Sequence, residues 1–160
     1  FSQFYVINWF ARNKNVLKDT DQQVKYTRNE ENLHALIGMK LINTIREEHP
    51  EFFDEELEER IAQEAVCAFE AESQIVDWMI NGIRQKGLNA IVLKEFIKNR
   101  INESMQQIGF KEPFEVDKNL LKDTIWFEEE LLGNNATDFF YSRPVEYSKN
   151  SQTYNADDLF

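Results

Sequence analysis

Arg28-Asn29-Glu30-Glu31-Asn32-Leu33-His34 is the stretch that decides the fold class, because it places a carboxylate and an imidazole three residues apart in a segment with helical apolar periodicity. Glu31 and His34 therefore share one face of a helix and can bind a single metal ion. A lone Glu-x-x-His pair also occurs by chance on a solvated helix face. The segments on either side help to distinguish these two interpretations.

The sequence around this stretch predicts one long helix. Asp19-Thr20-Asp21 offers an N-cap, and the helix is expected to continue to about Glu48, just before Pro50. If Glu31 and His34 lie on a buried face of this helix, their polar atoms need a binding partner, and a metal ion is one such partner. One stripe of this helix is predicted to face the core, and it consists of Thr27, Glu31, His34, Gly38, Leu41 and Ile45.

Three further long helices and one short one are predicted. Residues 1 to about 17 have apolar side chains at helical spacing, and Asp54-Glu55-Glu56-Leu57 begins a helix that continues to about Ile83. A helix of about 30 residues is about 45 Å long, which is usual in a helical bundle. The other two segments are Leu88 to about Ile108, closed by Gly109, and Asn119 to Leu132.

The sequence predicts two regions: part of a helical bundle over residues 1–132 and a flexible C-terminal tail over residues 133–160. Asn, Ser, Asp and Thr dominate the tail, which is typical of flexible segments. The first residue is Phe1, and helical apolar spacing is already present there. We therefore expect the chain to be cut or processed from a longer protein.

The composition restricts the class of protein. The chain has 160 residues, of which 42% are hydrophobic, and this is enough for a core in one domain or part of one. Its formal charge of −11 would repel a nucleic-acid backbone or an anionic membrane, so neither is expected as a partner. With one cysteine and no apolar run long enough to span a bilayer, we expect a soluble, cytoplasmic protein.

Together these features resemble the C-terminal half of the small, radical-generating subunit of class I ribonucleotide reductase. A long helix of that family carries an Arg-Asp-Glu-x-x-His motif, which Asn29-Glu30-Glu31-Asn32-Leu33-His34 matches. Gly87-Leu88-Asn89 and Trp126 follow in the family's order. Asp138-Phe139-Phe140-Tyr141-Ser142-Arg143-Pro144-Val145-Glu146-Tyr147 then resembles its Phe-Phe-x-x-Arg-x-x-Glu-Tyr block, and Asn155-Ala156-Asp157-Asp158-Leu159-Phe160 is similar to its acidic, aromatic-ended tail.

The resemblance implies an all-α fold, a ferritin-like helical bundle of the ribonucleotide reductase small-subunit type. The implied activity is the reduction of ribonucleoside diphosphates to deoxyribonucleotides, carried out together with a large subunit. Glu31 and His34 would ligate one ion of a dinuclear carboxylate centre of iron, manganese or both, and Glu30 would hydrogen-bond to a ligand. Tyr147 would pass the radical to the large subunit. The residues implied to dock on that subunit are Asp157, Asp158, Leu159 and Phe160.

The departures from the family pattern are also informative. Glu30 stands where the family has an aspartate of its electron-transfer chain, and Asn29 stands where it has an arginine, so these changes bear on radical transfer rather than on metal binding. Only two of the six family ligands match this chain, and the others match positions before Phe1. The resemblance thus implies that an N-terminal half of the small subunit, as a separate chain or a missing segment, completes the centre. Homodimerisation is implied by the family.

Tyr5 falls where the family has apolar residues around its radical site. A tyrosine is unusual at that position, and we interpret Tyr5 as a core residue, with one-electron oxidation as the alternative role.

Two alternative functions remain open. The first is a ferritin-like dimetal oxidase that acts without a large subunit. The function of such an oxidase would not require the Tyr147 block or the Phe160 terminus. The second is a non-catalytic helical assembly protein in which Glu31 and His34 form only an ion pair or a hydrogen bond. Metal analysis separates the second from the others.

Overall fold

The structure, a computed structural model, describes residues 2–127 and residue 129. The described part is helical, with α1 (Ser2–Lys14), α2 (Lys18–Glu48), a 3-10 turn (Pro50–Phe52), α3 (Glu55–Met79), α4 (Ala90–Gln107) and α5 (Lys118–Leu121). None of these helices is long and apolar enough to cross a membrane. The predicted tail over 133–160 lies outside the described residues, and with it Tyr147 and residues 157–160.

Side-chain caps and a glycine define several helix ends. Asp54 accepts a hydrogen bond from Leu57 N at 2.8 Å, which begins α3 at the predicted place. Asn89 caps α4 in the same way through Val92 N at 3.0 Å, so α4 begins two residues later than predicted. After α4, Gly109 has φ of 78°, the left-handed conformation predicted for this helix end.

The main core is built around α1, which packs against α2 and α3, while α3 packs against α4. Tyr5 and Trp9 of α1 and Phe96 of α4 lie in it, and none of them is more than 4% exposed. The rings of Trp126 and Phe127 have their centres 5.0 and 5.3 Å from that of Tyr5. Burial of these aromatic side chains holds α1 against α4 and the segment that contains Trp126 and Phe127.

A smaller apolar cluster is separate from this core and contains Ala65, Met105 and Phe110. Arg46 of α2 packs on it, with the guanidinium carbon 4.3 Å from the ring centre of Phe53 and 4.5 Å from that of Phe110. A guanidinium over aromatic rings is a favourable cation–π arrangement. This contact attaches the C-terminal part of α2 to the region where α4 ends.

The middle of α2 is not packed against other described residues. The buried residues of α2 are Asp21, Val24 and Arg28, all in its first third, and residues 29–37 are exposed throughout. The predicted inward stripe continues as exposed surface beyond this stretch, with Leu41 59% and Ile45 36% exposed. The prediction that the stripe faces a core of this chain is therefore wrong, because periodicity identifies an apolar side without identifying what covers it.

Candidate functional site

Glu31 and His34 lie in the exposed middle of α2. His34 Nδ1 is 3.3 Å from Glu31 Oε2, and the two side chains are 68% and 61% exposed, in that order. They share one face of the helix, as the three-residue spacing predicts. A contact of this length between exposed groups is weak, so both side chains are free to turn toward a ligand.

The donor atoms of this pair fit a first-row transition metal. Carboxylate oxygen and imidazole nitrogen both suit iron and manganese, and the pair brings one of each together on a helix. Two protein ligands are too few for a complete site. In the part of the chain that the structure describes, no group of three or more His, Cys, Asp or Glu side chains could hold a metal ion. The remaining ligands of such a site would have to come from elsewhere.

Before the pair, α2 is anchored on α1 and the core. Asn8 Nδ2 donates a hydrogen bond to Asp21 Oδ1 at 2.6 Å, and Lys25 forms an ion pair with the same carboxylate at 2.7 Å. Arg28, about one turn before the pair, is buried, and its guanidinium carbon lies 5.3 Å from the ring centre of Phe127. The N-terminal third of α2 is thus held by polar and aromatic contacts.

After the pair, α2 is anchored on the end of α4. Asn43 Nδ2 donates to the carbonyl oxygen of Gln107 at 3.1 Å, and Arg46 Nη2 donates to that of Ile108 at 2.7 Å. The last carbonyls of a helix have no partner within the helix, so these bonds satisfy groups that would otherwise need water. Glu31 and His34 therefore occupy a span between two anchors, which is a suitable place for a site that needs fixed geometry.

Glu30, to which the resemblance gives a supporting role, is also exposed. Glu30 and His34 are four residues apart, so their side chains are neighbours along one side of the helix. Glu30 and Glu31, by contrast, are about 100° apart around the helix axis. The backbone therefore favours an interaction of Glu30 with the imidazole rather than with the other carboxylate.

Tyr5 is part of the core. Its side chain is fully buried, and its hydroxyl donates a hydrogen bond to the carbonyl oxygen of Gly87 at 2.6 Å. Burial raises the pKa of Tyr5 from 10.0 to about 12. A backbone carbonyl is a poor acceptor for a released proton, so the surroundings of Tyr5 favour the neutral phenol. The geometry agrees with the packing interpretation of this residue rather than with its oxidation.

A pairing that the sequence did not predict joins the start of α1 to α3. Glu72, which is half-buried, accepts hydrogen bonds from Ser2 N at 3.0 Å and from Ser2 Oγ at 2.6 Å. Burial by itself would raise the pKa of Glu72, but the hydrogen bonds from the Ser2 hydroxyl and amide lower it, and the pKa lies below its ordinary value. The two residues are 70 positions apart, so no local pattern could have indicated the contact.

Comparisons with known proteins agree with these observations. The family model described as ribonucleotide reductase, small chain, matches residues 1–120. Ribonucleoside-diphosphate reductase subunit beta of Aquifex aeolicus is 33% identical over 120 residues, which are 74% of this chain and 17% of that protein. The subunit beta of Chlamydia pneumoniae is 30% identical over 148 residues, 92% of this chain and 41% of that protein.

A viral protein is also similar. The probable ribonucleoside-diphosphate reductase small subunit of Invertebrate iridescent virus 3 is 27% identical over 154 residues, 96% of this chain and 40% of that protein. The chain thus spans less than half the length of each of these three curated relatives.

Proposed function

The chain belongs to the ribonucleotide reductase small-chain family, and on this premise we propose that it forms part of a ribonucleoside-diphosphate reductase small subunit. Its part is to supply two ligands, Glu31 and His34, to a dinuclear centre of iron, manganese or both. The observation that carries the proposal is the pairing of Glu31 Oε2 and His34 Nδ1, 3.3 Å apart, on the exposed span of a helix that is anchored at both ends. The donor types support the metal assignment.

When bound, such a centre supplies the one-electron oxidant that starts ribonucleotide reduction. The residues of this chain hold and orient its ligands. Glu31 offers an anionic carboxylate, and His34 offers an imidazole nitrogen that must be unprotonated to bind, so metal affinity falls at acidic pH. Glu30, one turn before His34, orients the imidazole by a hydrogen bond.

The ligands that this chain lacks come from an N-terminal half of the small subunit, present as a separate chain or as a preceding segment. Two observations support this partner. The chain covers only 41% of the Chlamydia pneumoniae relative, and the candidate ligands are exposed rather than enclosed by other described residues. The complete small subunit is expected to form a dimer.

The tail supplies the contact with the large subunit. Tyr147 relays the radical, and the acidic, aromatic-ended terminus docks on the partner. These roles are carried over from the resemblance, because the residues lie outside the described part of the chain. The proposed docking residues are Asp157, Asp158, Leu159 and Phe160.

Substitution of the two ligands tests the metal site directly. In a small subunit assembled from this chain and the segment that completes it, Glu31→Ala and His34→Ala should each lower metal affinity by at least about tenfold, because even residues that only support ligands contribute about 10–100-fold. Metal content after dialysis, measured by mass spectrometry, is the readout. Glu47→Ala is the matched control, since Glu47 is an exposed carboxylate on the same helix. Equal metal content in all four proteins would refute the assignment.

The alternative functions are separated by two further measurements. A non-catalytic assembly role is favoured by the contact that Glu31 and His34 already make with each other, and an assembled protein that contains no metal would establish it. A dimetal oxidase that acts alone predicts no binding to a reductase large subunit, whether or not Leu159 and Phe160 are present, and unchanged binding after their deletion would show that the tail assignment is wrong. The proposed function predicts that this deletion abolishes binding.

A further inference from the structure

A cavity lies between α1 and the first part of α2. It has a volume of about 290 Å³ and is open to solvent. Its lining residues come from both helices and are Asn8, Ala11, Arg12, Lys18, Asp21 and Lys25. Lys25 and Glu31 are six residues apart, which is about 9 Å along the helix axis. The cavity is therefore separate from the proposed metal site.

The cavity is positively charged, although the chain as a whole is acidic. Its cationic lining residues are Arg12, Lys18 and Lys25, and Asp21 is the acid among them. Three positive charges and one negative charge leave a local excess of two positive charges, whereas the whole chain has a formal charge of −11. Because α2 begins at Lys18, the positive end of its helix dipole also lies at the cavity. These charges favour an anionic ligand.

Existing contacts hold the walls of the cavity in place. Asp21 forms an ion pair with Lys25 at 2.7 Å and accepts a hydrogen bond from Asn8 Nδ2 at 2.6 Å. An ammonium group has three donor hydrogens, so one contact with Asp21 leaves Lys25 able to donate to a ligand. On the other wall, the guanidinium carbon of Arg12 lies 5.4 Å from the ring centre of Trp126. The cationic groups are thus positioned before any ligand binds.

One buried polar atom of the cavity wall has no partner among the described residues. Asn8 is 1% exposed, and its Oδ1 accepts no hydrogen bond. The bond from Nδ2 to Asp21 fixes the orientation of the amide, because turning it over would place two acceptor oxygens against each other. A buried acceptor without a donor costs stability. A suitable ligand would therefore bring a hydrogen-bond donor as well as a negative charge.

We propose that this cavity binds a small phosphate ligand that has a hydroxyl donor. The phosphate group contacts Lys18, Lys25 and Arg12 through charge-assisted hydrogen bonds, and the hydroxyl donates to Asn8 Oδ1. Two sources share this chemistry: an organic phosphate such as a pentose monophosphate, and hydrogen phosphate itself. Pockets for drug-sized ligands measure about 300–1,000 Å³, so a cavity just below that range fits the organic phosphate, and hydrogen phosphate would leave much of it unfilled.

Isothermal titration calorimetry with ribose 5-phosphate tests the site. The protein is the small subunit assembled from this chain and the segment that completes it. Lys18→Ala should weaken binding by about 10–100-fold, because it removes a hydrogen bond to a charged group. Lys18 is exposed, so the variant should stay folded, which circular dichroism checks. Lys40→Ala is the matched control, since Lys40 is an exposed lysine of the same helix outside the cavity lining. Equal affinities of these two variants would overturn the proposal.

Inorganic phosphate and sulfate test the hydroxyl donor. Both are tetrahedral dianions at mildly alkaline pH, but hydrogen phosphate keeps one proton and sulfate has none. Sulfate should bind at least about fivefold more weakly than phosphate, because it leaves Asn8 Oδ1 without a donor. Asn8→Ala removes this acceptor and should abolish the preference. Equal binding of the two anions by the wild-type protein would show adventitious anion binding and overturn the proposal.

The same titrations distinguish the two sources of the phosphate group. Tighter binding of ribose 5-phosphate than of inorganic phosphate would support the organic ligand. Equal affinities, both above that of sulfate, would support the site with free phosphate as its ligand. Binding by this chain alone that disappears in the assembled small subunit would show that the completing segment covers the cavity, and would overturn the proposal.

Metal content, measured on the same samples, separates this proposal from the proposed function. An assembled small subunit that binds ribose 5-phosphate but contains no metal would support the phosphate site and refute the metal assignment. An assembled small subunit that contains metal but binds neither ribose 5-phosphate nor inorganic phosphate would refute the phosphate site alone.

Discussion

Replacing Tyr5 by phenylalanine isolates one buried hydrogen bond in the core. The Tyr5 hydroxyl donates to the carbonyl oxygen of Gly87 at 2.6 Å, and the side chain is fully buried. Tyr5→Phe keeps the ring but leaves this carbonyl without its donor, which should lower the free energy of unfolding by about 1–3 kcal/mol at neutral pH. For a chain of this length, the midpoint of thermal unfolding should fall by roughly 3–10 °C.

The same two proteins provide a test at high pH. Burial raises the pKa of Tyr5 from 10.0 to about 12, so the unfolded chain releases the phenolic proton at a lower pH than the folded chain does. The stability associated with this pKa difference is fully present below pH 10 and is lost as the pH rises toward 12. The complete loss amounts to about 2.7 kcal/mol. The free energy of unfolding of the wild-type chain should therefore fall to that of Tyr5→Phe at about pH 11.

Urea unfolding of both proteins, followed by circular dichroism, measures this difference. The other tyrosines are common to the two chains, so their titration cancels in the comparison. Equal unfolding free energies at neutral pH would refute a stabilising role for the hydrogen bond. A difference that stays constant up to about pH 11 would refute the raised pKa.

Two further predictions concern the contacts that surround α2 and the core. Gly87→Ala should destabilise the chain by more than about 1–2 kcal/mol, because Gly87 has φ of 72° and an added Cβ would lie 3.2 Å from the carbonyl oxygen of Asp123. Gly82→Ala, with φ of 83° and no atom near the added Cβ, is the control and should show the smaller loss when urea midpoints are compared. Arg46→Met keeps an apolar stem against the rings of Phe53 and Phe110 but removes the guanidinium, which contacts both rings and donates to the carbonyl oxygen of Ile108. It should cost about 1–3 kcal/mol by the same assay, and an unchanged midpoint would show that this bond does not anchor α2.

Much of the fold was predictable from local sequence signals. The all-α, ferritin-like class is confirmed by the helical structure and the family match. Asp54 and Gly109 mark helix ends where predicted, because caps and left-handed glycines are set by neighbouring residues alone. The start of α2 was less well predicted: the helix begins after Leu17, which has φ of 58° and makes no side-chain cap, so the tight turn from α1 overrides the polar residues that follow.

The candidate site was predictable only in part. The spacing of Glu31 and His34 gave their shared face, because helix geometry fixes which side chains meet. Periodicity could not show that this face is uncovered, since α2 is apolar on more than one side. The contact of Ser2 with Glu72 was also beyond prediction, because it depends on how α1 and α3 come together. The roles of Tyr147 and of the terminal residues remain predictions.

The central claim is that this chain supplies part of a dinuclear metal centre in a reductase small subunit. Native mass spectrometry combined with metal analysis, on untagged protein purified from cells that also express its genomic neighbours, tests it most directly. The account predicts this chain in complex with the segment that completes the bundle, with about two metal ions in each complete bundle. An assembled complex without metal, or a chain that stays alone and metal-free, would contradict it.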